Sequence, residues 1–321
     1  MNIENDIQVS VCVVTYNQEN YIAQCLESLV TQQTNFKFEI IVGEDCSKDS
    51  TRAIVQQYAE KYPDLIVPLF YEKNVGAVEN VKQVYKKARG KYIAHIDGDD
   101  MALPNKLQKQ FTKLEENLDC SICAHNMKGI NKDGEIMKKY YPDFVEKKYQ
   151  LLDLYLKSPF IIHSSKMFVN NISEYIDNID PNMLDTEMHI IQAKKGDIYY
   201  LQEELGGYRQ FVGVTIKNGG MNHLIPERIF NIYDNAINNI MNGEDLVLIS
   251  EKYYKYSLQC AYQVAVNQDE LVYFKKYLSK SIMLCSNIYI KLFLIFLYKN
   301  PKIFYKLAEI RNNYKLRVNK C

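Results

Sequence analysis

Short apolar runs alternate with helical segments through the first hundred residues, and this alternation limits the possible folds more than any other feature. Four runs have the length and composition of buried strands: residues 9–14, 39–42, 65–70 and 91–96. Apolar residues at helical spacing follow Asn17, which we expect to be an N-cap, and recur after Asp49 and over 77–88. Strands separated by helices of this length predict an α/β fold with a mostly parallel sheet flanked by helices.

Polar residues stand after each of the four predicted strands. They are Thr15, Tyr16 and Asn17 after the first strand, Glu44 and Asp45 after the second, Asn74 after the third, and Asp97, Gly98, Asp99 and Asp100 after the fourth. Any one of these residues alone is an ordinary turn or cap residue. In parallel sheets, however, ligands bind at the carboxyl ends of the strands, so four polar strand ends together predict a binding site.

The acidic cluster after the fourth strand suggests how that site would bind a phosphorylated ligand. The chain contains neither a G-x-G-x-x-G nor a G-x-x-x-x-G-K-[ST] motif, which disfavours a dinucleotide fold or a P-loop. Asp97 and Asp99 instead offer hard oxygen ligands for Mg²⁺ or Mn²⁺, and Gly98 between them allows a backbone bend. Such an ion would bridge to a diphosphate and offset its charge as it departs.

Taken together with their spacing, these segments resemble a family 2 glycosyltransferase with the GT-A fold. The residues that carry the resemblance are 9–17, 42–51, 74–76, 90–93 and 97–100 with Pro104, and the similar region extends over about 8–212. The resemblance implies an inverting enzyme of the bacterial surface-glycan type. It would move a sugar from a nucleotide-sugar to a hydroxyl of a glycan or lipid-linked glycan.

Roles on the donor side follow from the resemblance. Thr15 and Tyr16 would line the nucleotide pocket, Asp97 would lie near the ribose and share the metal, and Asp99 would hold the metal. Further nucleotide contacts are expected from Asn17, Glu44, Asn74 and Gly98. Asp45 would receive an N–H of the donor's base. A carboxylate only accepts hydrogen bonds, as the N3–H of uracil requires, so a UDP-sugar is favoured.

The resemblance places the general base at Asp185, which opens a helical stretch ended by Gly196. An aspartate at a helix N-terminus is also a capping residue, and the two roles are compatible. Leu184 replaces the first acid of the family's usual acidic pair, and Glu187 would partly compensate. His163 is a candidate contact on the acceptor side, with a purely structural role as the alternative.

Two further departures from the family pattern concern the end of the similar region. Many relatives carry a histidine two residues after a Tyr-Arg pair, and here that position is Phe211. Arg209 is therefore the expected phosphate contact. The chain has no tryptophan, which excludes the Q-x-x-R-W element of processive synthases, so we expect one sugar to be transferred per encounter.

The last hundred residues lack strand signals and predict an all-helical extension, with the domain boundary at 220/221. Residues 291–321 carry eight basic residues against Glu309 alone, whereas the rest of the chain carries 31 basic and 38 acidic residues. The apolar run 288–298 precedes this basic tail, and Ile303, Phe304, Leu307 and Ile310 follow it at helical spacing. Residues 288–320 therefore form either an anionic-membrane contact or a solvated basic face.

Other classes of function are disfavoured by the sequence. The formal net charge is zero, which argues against a nucleic-acid partner. No signal peptide or membrane-spanning run is expected, which suggests a cytoplasmic location, with peripheral attachment to the inner face of the membrane as an open alternative. Cys120 and Cys123 lack the second ligand pair that a structural zinc needs, so buried thiols are expected.

Two alternatives to a glycosyltransferase stay open at this stage. A sugar nucleotidyltransferase can share a related fold and a metal-binding aspartate, but 15–18 (Thr-Tyr-Asn-Gln) is not the glycine-rich, basic loop typical of that class. A non-catalytic, membrane-associated module that binds nucleotide-sugars is supported only by Leu184 and Phe211.

Overall fold

The computed structural model describes residues 7–137, 144–157, 160–210, 212, 222–239, 243–267 and 270–318. The chain divides into two compact units, residues 1–216 and 217–321. Phe211, where relatives carry a histidine, lies outside the described residues.

The first unit is built on one large mixed sheet. Its strands are β1 (Val9–Thr15), β2 (Phe38–Glu44), β3 (Ile66–Phe70), β4 (Tyr92–Asp97), β5 (Met101–Ala102), β6 (Cys120–Ile130), β7 (Ile136–Met137), β8 (Lys147–Tyr149), β9 (Met167–Val169) and β10 (Asp197–Arg209). The order is β3-β2-β1-β4-β9-β6-β10-β5, and β7 and β8 pair with β6 and β10. The four strands predicted in the first hundred residues are confirmed.

All the long strands of the sheet run in the same direction. β1 pairs in parallel with β2 and β4, β2 with β3, and β6 with β10. The three-residue β9 runs antiparallel between β4 and β6 and so keeps those two strands parallel to each other. This confirms the prediction of a mostly parallel sheet.

Six helices belong to the described part of this unit: α1 (Ile22–Val30), α2 (Thr51–Lys61), α3 (Ala77–Lys87), α4 (Lys106–Glu116), α5 (Leu151–Lys157) and α6 (Asp185–Ala193). The first helix does not begin at Asn17 as predicted. It begins at Ile22, and Asn17 has φ +51°, a left-handed conformation that asparagine tolerates. The buried residues of β1, β2 and β4 pack with α1 and α4 into one core, so the strand ends that carry the polar residues are rigidly supported.

The second unit is helical in its described residues, as predicted. It comprises α7 (Leu224–Asn239), α8 (Gly243–Val266), α9 (Leu271–Leu284), α10 (Ile288–Lys299) and α11 (Pro301–Val318). Its core is rich in aromatic rings. Tyr253 packs against Phe230 and Tyr233, and Tyr277 contacts Phe230 edge-on. No helix in the described ranges combines the length and the apolarity needed to cross a bilayer.

Candidate active site

Three neighbouring parallel strands bring the predicted donor-side residues to one edge of the sheet. In the register of the sheet, Thr15 at the end of β1 lies beside Glu44 of β2, and Val14 lies beside Asp97 of β4. Two backbone hydrogen bonds extend this register past the strands: Asp45 N donates to Thr15 O at 3.0 Å, and Gly98 N donates to Val14 O at 2.9 Å. The sequence positions predicted to form one site therefore share one edge.

Asp45 holds the loop that follows β3. Its Oδ1 accepts a hydrogen bond from Val75 N at 2.6 Å and its Oδ2 one from Gly76 N at 3.0 Å, while Asn74 Nδ2 donates to Asp45 O at 3.1 Å. Burial of the side chain raises the pKa of Asp45 above its ordinary value, although the two backbone N–H groups counteract this. Asp45 is buried, with 2% of its surface exposed, but each carboxylate oxygen keeps a second lone pair with which it can accept from a ligand.

Two residues expected to contact the nucleotide are engaged within the protein. Glu44 is fully buried, and its carboxylate accepts from Ser47 N at 2.7 Å and from Arg52 Nε at 2.5 Å. Glu44 therefore orders the loop after β2 and presents no surface to a ligand, contrary to our expectation. Asn17 is exposed, but its Oδ1 accepts from Lys48 N at 2.8 Å, so it links the loop after β1 to the loop after β2.

The acidic cluster after β4 consists of Asp97, Asp99 and Asp100. Burial raises the pKa of Asp99 to about 6, and the charge of Asp97 adds to this effect. The same two causes, burial first and then the charges of its neighbours, raise the pKa of buried Asp100 well above its usual range. The negative charges of these three neighbouring carboxyl groups would repel one another if all were ionised. A bound divalent cation would offset that repulsion.

Asp97 is the member of this cluster whose charged form is favoured. Burial raises its pKa, but hydrogen bonds from His95 and Ser164 outweigh that effect and hold the pKa below its ordinary value. His95 Nε2 lies 3.2 Å from Asp97 Oδ1, and Tyr85 Oη lies 3.0 Å from His95 Nδ1. Because a carboxylate can only accept, the proton of His95 belongs on Nε2 and Tyr85 donates to Nδ1.

Gly98 is required by a close approach of backbone to side chains. A Cβ at this position would lie 2.5 Å from Gln18 Oε1 and 2.8 Å from Thr15 Cβ. Thr15 in turn donates to Gln18 Oε1 at 2.8 Å. The glycine therefore lets the loop after β4 lie directly against the loop after β1, where Tyr16 is half-buried.

Most of the N–H groups of Arg209 are engaged within the protein. The side chain is buried, and its Nε donates to Asp99 O at 2.7 Å. Nη1 donates to Asn131 O at 2.6 Å and to Lys132 O at 2.9 Å, and Nη2 donates to Gln24 Oε1 at 2.5 Å. Four of its five N–H groups are used in this way, so Arg209 ties together the loops around the acidic cluster, and the expected phosphate contact is not supported.

A cavity of about 140 Å³ brings Asp97 and Asp185 together. Its wall is formed by Val14, Ala77, Val78, Val81, Asp97, His163, Met183, Leu184, Asp185 and Met188. Asp185 opens α6 and keeps 70% of its side-chain surface accessible at the cavity mouth. Although this surface is accessible, the protein packed around the rest of the carboxyl group desolvates it, and this together with the charge of Asp97 raises the pKa of Asp185 to about 6, against the opposing effect of Lys166.

Glu187 has a structural role at the start of α6. Its Oε2 accepts from Leu184 N at 2.9 Å, so it caps the helix that Asp185 begins. This does not support our expectation that Glu187 partly replaces the missing first acid of the pair. Leu184 itself contributes an apolar wall of the cavity.

Four buried basic side chains lie beside the cavity: His95, His163, His189 and Lys166. Of these, only His163 was singled out from the sequence. The ring centroids of His95 and His163 are 3.9 Å apart, and His163 Nδ1 lies 3.1 Å from His189 Nε2. Burial lowers the pKa of Lys166 to about 7, although Asp185 and Asp97 oppose the shift. His95 could have been found from the sequence, because it stands two residues before Asp97 in the same strand, and alternate residues of a strand lie on one face.

His163 itself lies at the inner wall of the cavity. It is buried in a 3₁₀ turn over His163–Ser165, and its Nδ1 is 3.8 Å from Asp185 Oδ1. Burial keeps the pKa of His163 well below its usual value, and the neighbouring His95 and Lys166 add to this. The imidazole is therefore neutral and within reach of the carboxylate at the cavity mouth.

The sequence matches the family model described as glycosyl transferase family 2 over residues 10–176, which is more than half of the chain. The chain belongs to this family. An uncharacterized protein of Mycobacterium tuberculosis is 33% identical over 205 residues, covering 63% of this chain and 58% of its own length. The putative teichuronic acid biosynthesis glycosyltransferase TuaG of Bacillus subtilis is 35% identical over 135 residues, 41% of this chain and 51% of that protein. The chain thus spans just over half the length of these relatives.

Solved structures show the same fold. Residues 1–349 of TarS from S. aureus, in complex with UDP-GlcNAc, match with a TM-score of 0.66 at 18% identity, covering 96% of this chain and 92% of that one. The mannosyltransferase PcManGT from Pyrobaculum calidifontis, in complex with GDP-Man and Mn²⁺, matches with a TM-score of 0.56 at 13% identity, covering 96% and 87%. The expected GT-A type α/β fold with a helical C-terminal region is confirmed.

Proposed function

We propose that this glycosyltransferase moves a sugar from a UDP-sugar to an acceptor hydroxyl in a single displacement with inversion. The observation that carries the proposal is the shared cavity, since it opens one space to both the carboxylate expected at the donor, Asp97, and the carboxylate expected to act as base, Asp185. We assign the catalytic domain to residues 1–220 and the helical region to 221–321.

The donor's base would bind beside Asp45. Both oxygens of this carboxylate are oriented by the backbone N–H groups of Val75 and Gly76, and their remaining lone pairs suit the N3–H of uracil. Thr15 and Asn74 are both hydrogen-bonded to the backbone of Asp45, and we assign Tyr16, which follows Thr15, to the same pocket. The fold shared with TarS, which was solved with UDP-GlcNAc, supports UDP as the nucleotide of the donor. We expect the transferred sugar to be a hexosyl or an N-acetylhexosaminyl group.

Asp97 and Asp99 would hold Mn²⁺ or Mg²⁺. The described residues contain no group of three or more metal-ligating side chains, but these ions commonly bind through one or two carboxylates and the substrate's own phosphates. The raised pKa of Asp99 fits such a site, because a cation there would offset the repulsion from Asp97. When bound, the ion supplies charge neutralisation for the departing diphosphate.

Asp185 would then act as general base. With a pKa of about 6 it is ionised at pH 7 and accepts the proton of the acceptor hydroxyl. The hydroxyl oxygen forms a bond to the anomeric carbon while the bond from that carbon to the diphosphate oxygen breaks, and the nucleoside diphosphate leaves with the bonding electrons. Val78, Val81 and Met188 give this space an apolar wall.

The Asp185→Asn variant tests the assignment of the base. We expect transfer to fall by roughly 10²–10⁴-fold, because the amide cannot accept the proton, while donor binding is retained. Transfer is measured by chromatography of nucleotide and glycan products over a panel of donors and acceptors. Exposed Asp64→Asn is the matched control and should behave as wild type. Near-normal turnover of Asp185→Asn would show that the base lies elsewhere.

Donor identity is tested by thermal unfolding with a panel of nucleotide-sugars, with and without Mn²⁺. A donor at 100 times its Kd should stabilise the folded state by about 2.7 kcal/mol. We expect the largest shift with a UDP-sugar and Mn²⁺, and no metal-dependent shift in Asp99→Ala. Release of pyrophosphate in place of a nucleoside diphosphate would indicate a nucleotidyltransferase.

The acceptor we propose is a glycan or a lipid-linked glycan on the cytoplasmic side, with the enzyme held peripherally at the inner face of the membrane. Support comes from the second unit, where residues 291–321 carry eight basic residues and one acidic residue.

A further inference from the structure

One face of α10 is apolar and open to solvent. Its side chains keep about half or more of their surface accessible: Ile288 58%, Tyr289 80%, Leu292 57%, Phe293 53% and Phe296 47%. Counted from Ile288, the other four residues lie one, four, five and eight positions further along the chain, so all five share one side of the helix. Leu294 and Leu297 are buried and anchor the opposite side.

This face contains no charge. At 100° per residue its five side chains cover about 140° of the helix circumference, and Lys291 falls outside that arc. Contiguous apolar surface of this kind is unusual on a protein that works alone in water, and it marks a binding surface. The sequence pattern had pointed to the basic residues further along the tail, and the exposure of α10 becomes visible only in the tertiary structure.

The next helix, α11, carries a narrower apolar stripe between cations. Ile303, Leu307 and Ile310 are 42%, 49% and 58% exposed, whereas Phe304 faces inward. On a helical projection Lys302 and Lys306 flank this stripe on one side and Arg311 on the other. A helix with an apolar stripe between rows of cations is typical of segments that lie in a membrane interface.

A groove within the second unit adds a site for negatively charged groups. Its volume is about 890 Å³, and its lining includes Lys299, Lys302 and Lys306 beside the apolar Val266 and Leu271. Glu309 is the acidic residue of this lining. The groove therefore combines three cations with apolar walls. Such a groove suits the charged headgroup of an anionic lipid and the carbon atoms next to it.

We propose that α10 and α11 form the surface by which this glycosyltransferase docks on an anionic lipid bilayer. The apolar face of α10 enters the boundary between headgroups and acyl chains, and Lys299, Lys302 and Lys306 bind the headgroups. Charge favours this occupant over a second copy of the chain. A symmetric dimer through α10 and α11 together would bring Lys299, Lys302 and Lys306 of the two copies towards each other, whereas an anionic bilayer complements these cations.

The proposal deepens the proposed function, since it rests on a membrane-bound acceptor. It does not depend on the assignment of the base or of the donor. Vesicle binding and donor binding are therefore measured separately on the same full-length protein, so that a failure of either can be recognised.

Vesicle sedimentation of the full chain tests the proposal. With phosphatidylcholine vesicles containing 30% phosphatidylglycerol, we expect binding at least tenfold tighter than with pure phosphatidylcholine, and loss of that preference in 0.5 M salt. Phe293→Ser combined with Phe296→Ser should weaken binding at least tenfold. Lys302→Glu combined with Lys306→Glu should abolish only the preference for the anionic vesicles.

Controls separate docking from folding and from self-association. Leu118 and Val247 are also exposed apolar residues, 79% and 65%, but lie on other elements, so Leu118→Ser with Val247→Ser should bind vesicles as wild type. All variants should keep the wild-type melting temperature and the donor-induced shift. Absence of vesicle binding by the wild type, or unchanged binding by the phenylalanine variant, would overturn the proposal. So would a dimer in analytical ultracentrifugation, without vesicles, that the phenylalanine substitutions dissociate.

Discussion

Replacing Arg209 by lysine separates a structural role from a phosphate-binding role at one position. The guanidinium lies buried, donates to four oxygens on Gln24, Asp99 and residues 131–132, and stands 4.7 Å from the Tyr21 ring centroid. A lysine keeps the charge but places its three N–H groups at a single atom. Such an ammonium can reach at most two of the four acceptors.

The expected loss of stability follows from the contacts that lysine cannot replace. Two lost hydrogen bonds to a charged donor cost about 1.5 kcal/mol each, and loss of the ring contact adds about 0.5 kcal/mol. We therefore expect Arg209→Lys to lower the free energy of unfolding by about 3–4 kcal/mol. For a unit of 216 residues this corresponds to a fall in melting temperature of roughly 10 °C.

Thermal unfolding followed by circular dichroism measures this loss, and nucleotide titration measures donor affinity. Arg89→Lys is the matched control, because that side chain is 67% exposed and a lysine keeps the positive charge beside Glu39, so this variant should lose much less stability. If Arg209→Lys unfolds within about 2 °C of the wild type while its affinity for the donor falls tenfold, Arg209 contacts phosphate and our assignment is wrong.

Three further outcomes are expected. If Asp185 is the base, as proposed, the maximal rate of transfer should fall about tenfold per pH unit below about pH 6, because Asp185 must be ionised and its pKa is raised to about 6; an inflection near pH 4 would argue against this base. Gly98→Ala should destabilise the fold by about 1–3 kcal/mol in chemical denaturation, since its Cβ would lie 2.8 Å from Thr15 Cβ, whereas Gly243→Ala meets no atom within 4 Å and should cost nothing. In mass-spectrometric alkylation of the folded protein, Cys46 should react ahead of the buried cysteines, and equal reactivity would contradict the described packing.

The strand ends could be predicted because they depend on local pattern. The run of apolar residues over 9–14 predicts a buried strand wherever it occurs, and parallel pairing then places Thr15, Asp45 and Asp97 at one edge. The start of α6 at Asp185 was predictable for the same reason, since its capping signals are within a few residues. These features depend on short-range interactions that the sequence displays directly.

Partners distant in sequence could not be predicted in this way. Glu44 and Arg209 carry the residue types expected of ligand contacts, but both are buried and hydrogen-bonded to protein groups, Arg209 to oxygens up to 185 positions away. Which polar side chains face a ligand depends on which protein groups satisfy them first, and that is decided by packing. The same holds for His95, His163 and Lys166, since their burial behind the cavity shifts their pKa values.

The sequence by itself thus determined the α/β architecture, the family and the edge of the sheet where the candidate site lies, because periodicity and strand-end residues specify these locally. Only the tertiary structure decided that Asp97 and Asp185 share one cavity and that Arg209 holds loops together. It also decided that α10 leaves an apolar face exposed. Burial and long-range pairing are properties of the packed chain, and no local pattern contains them.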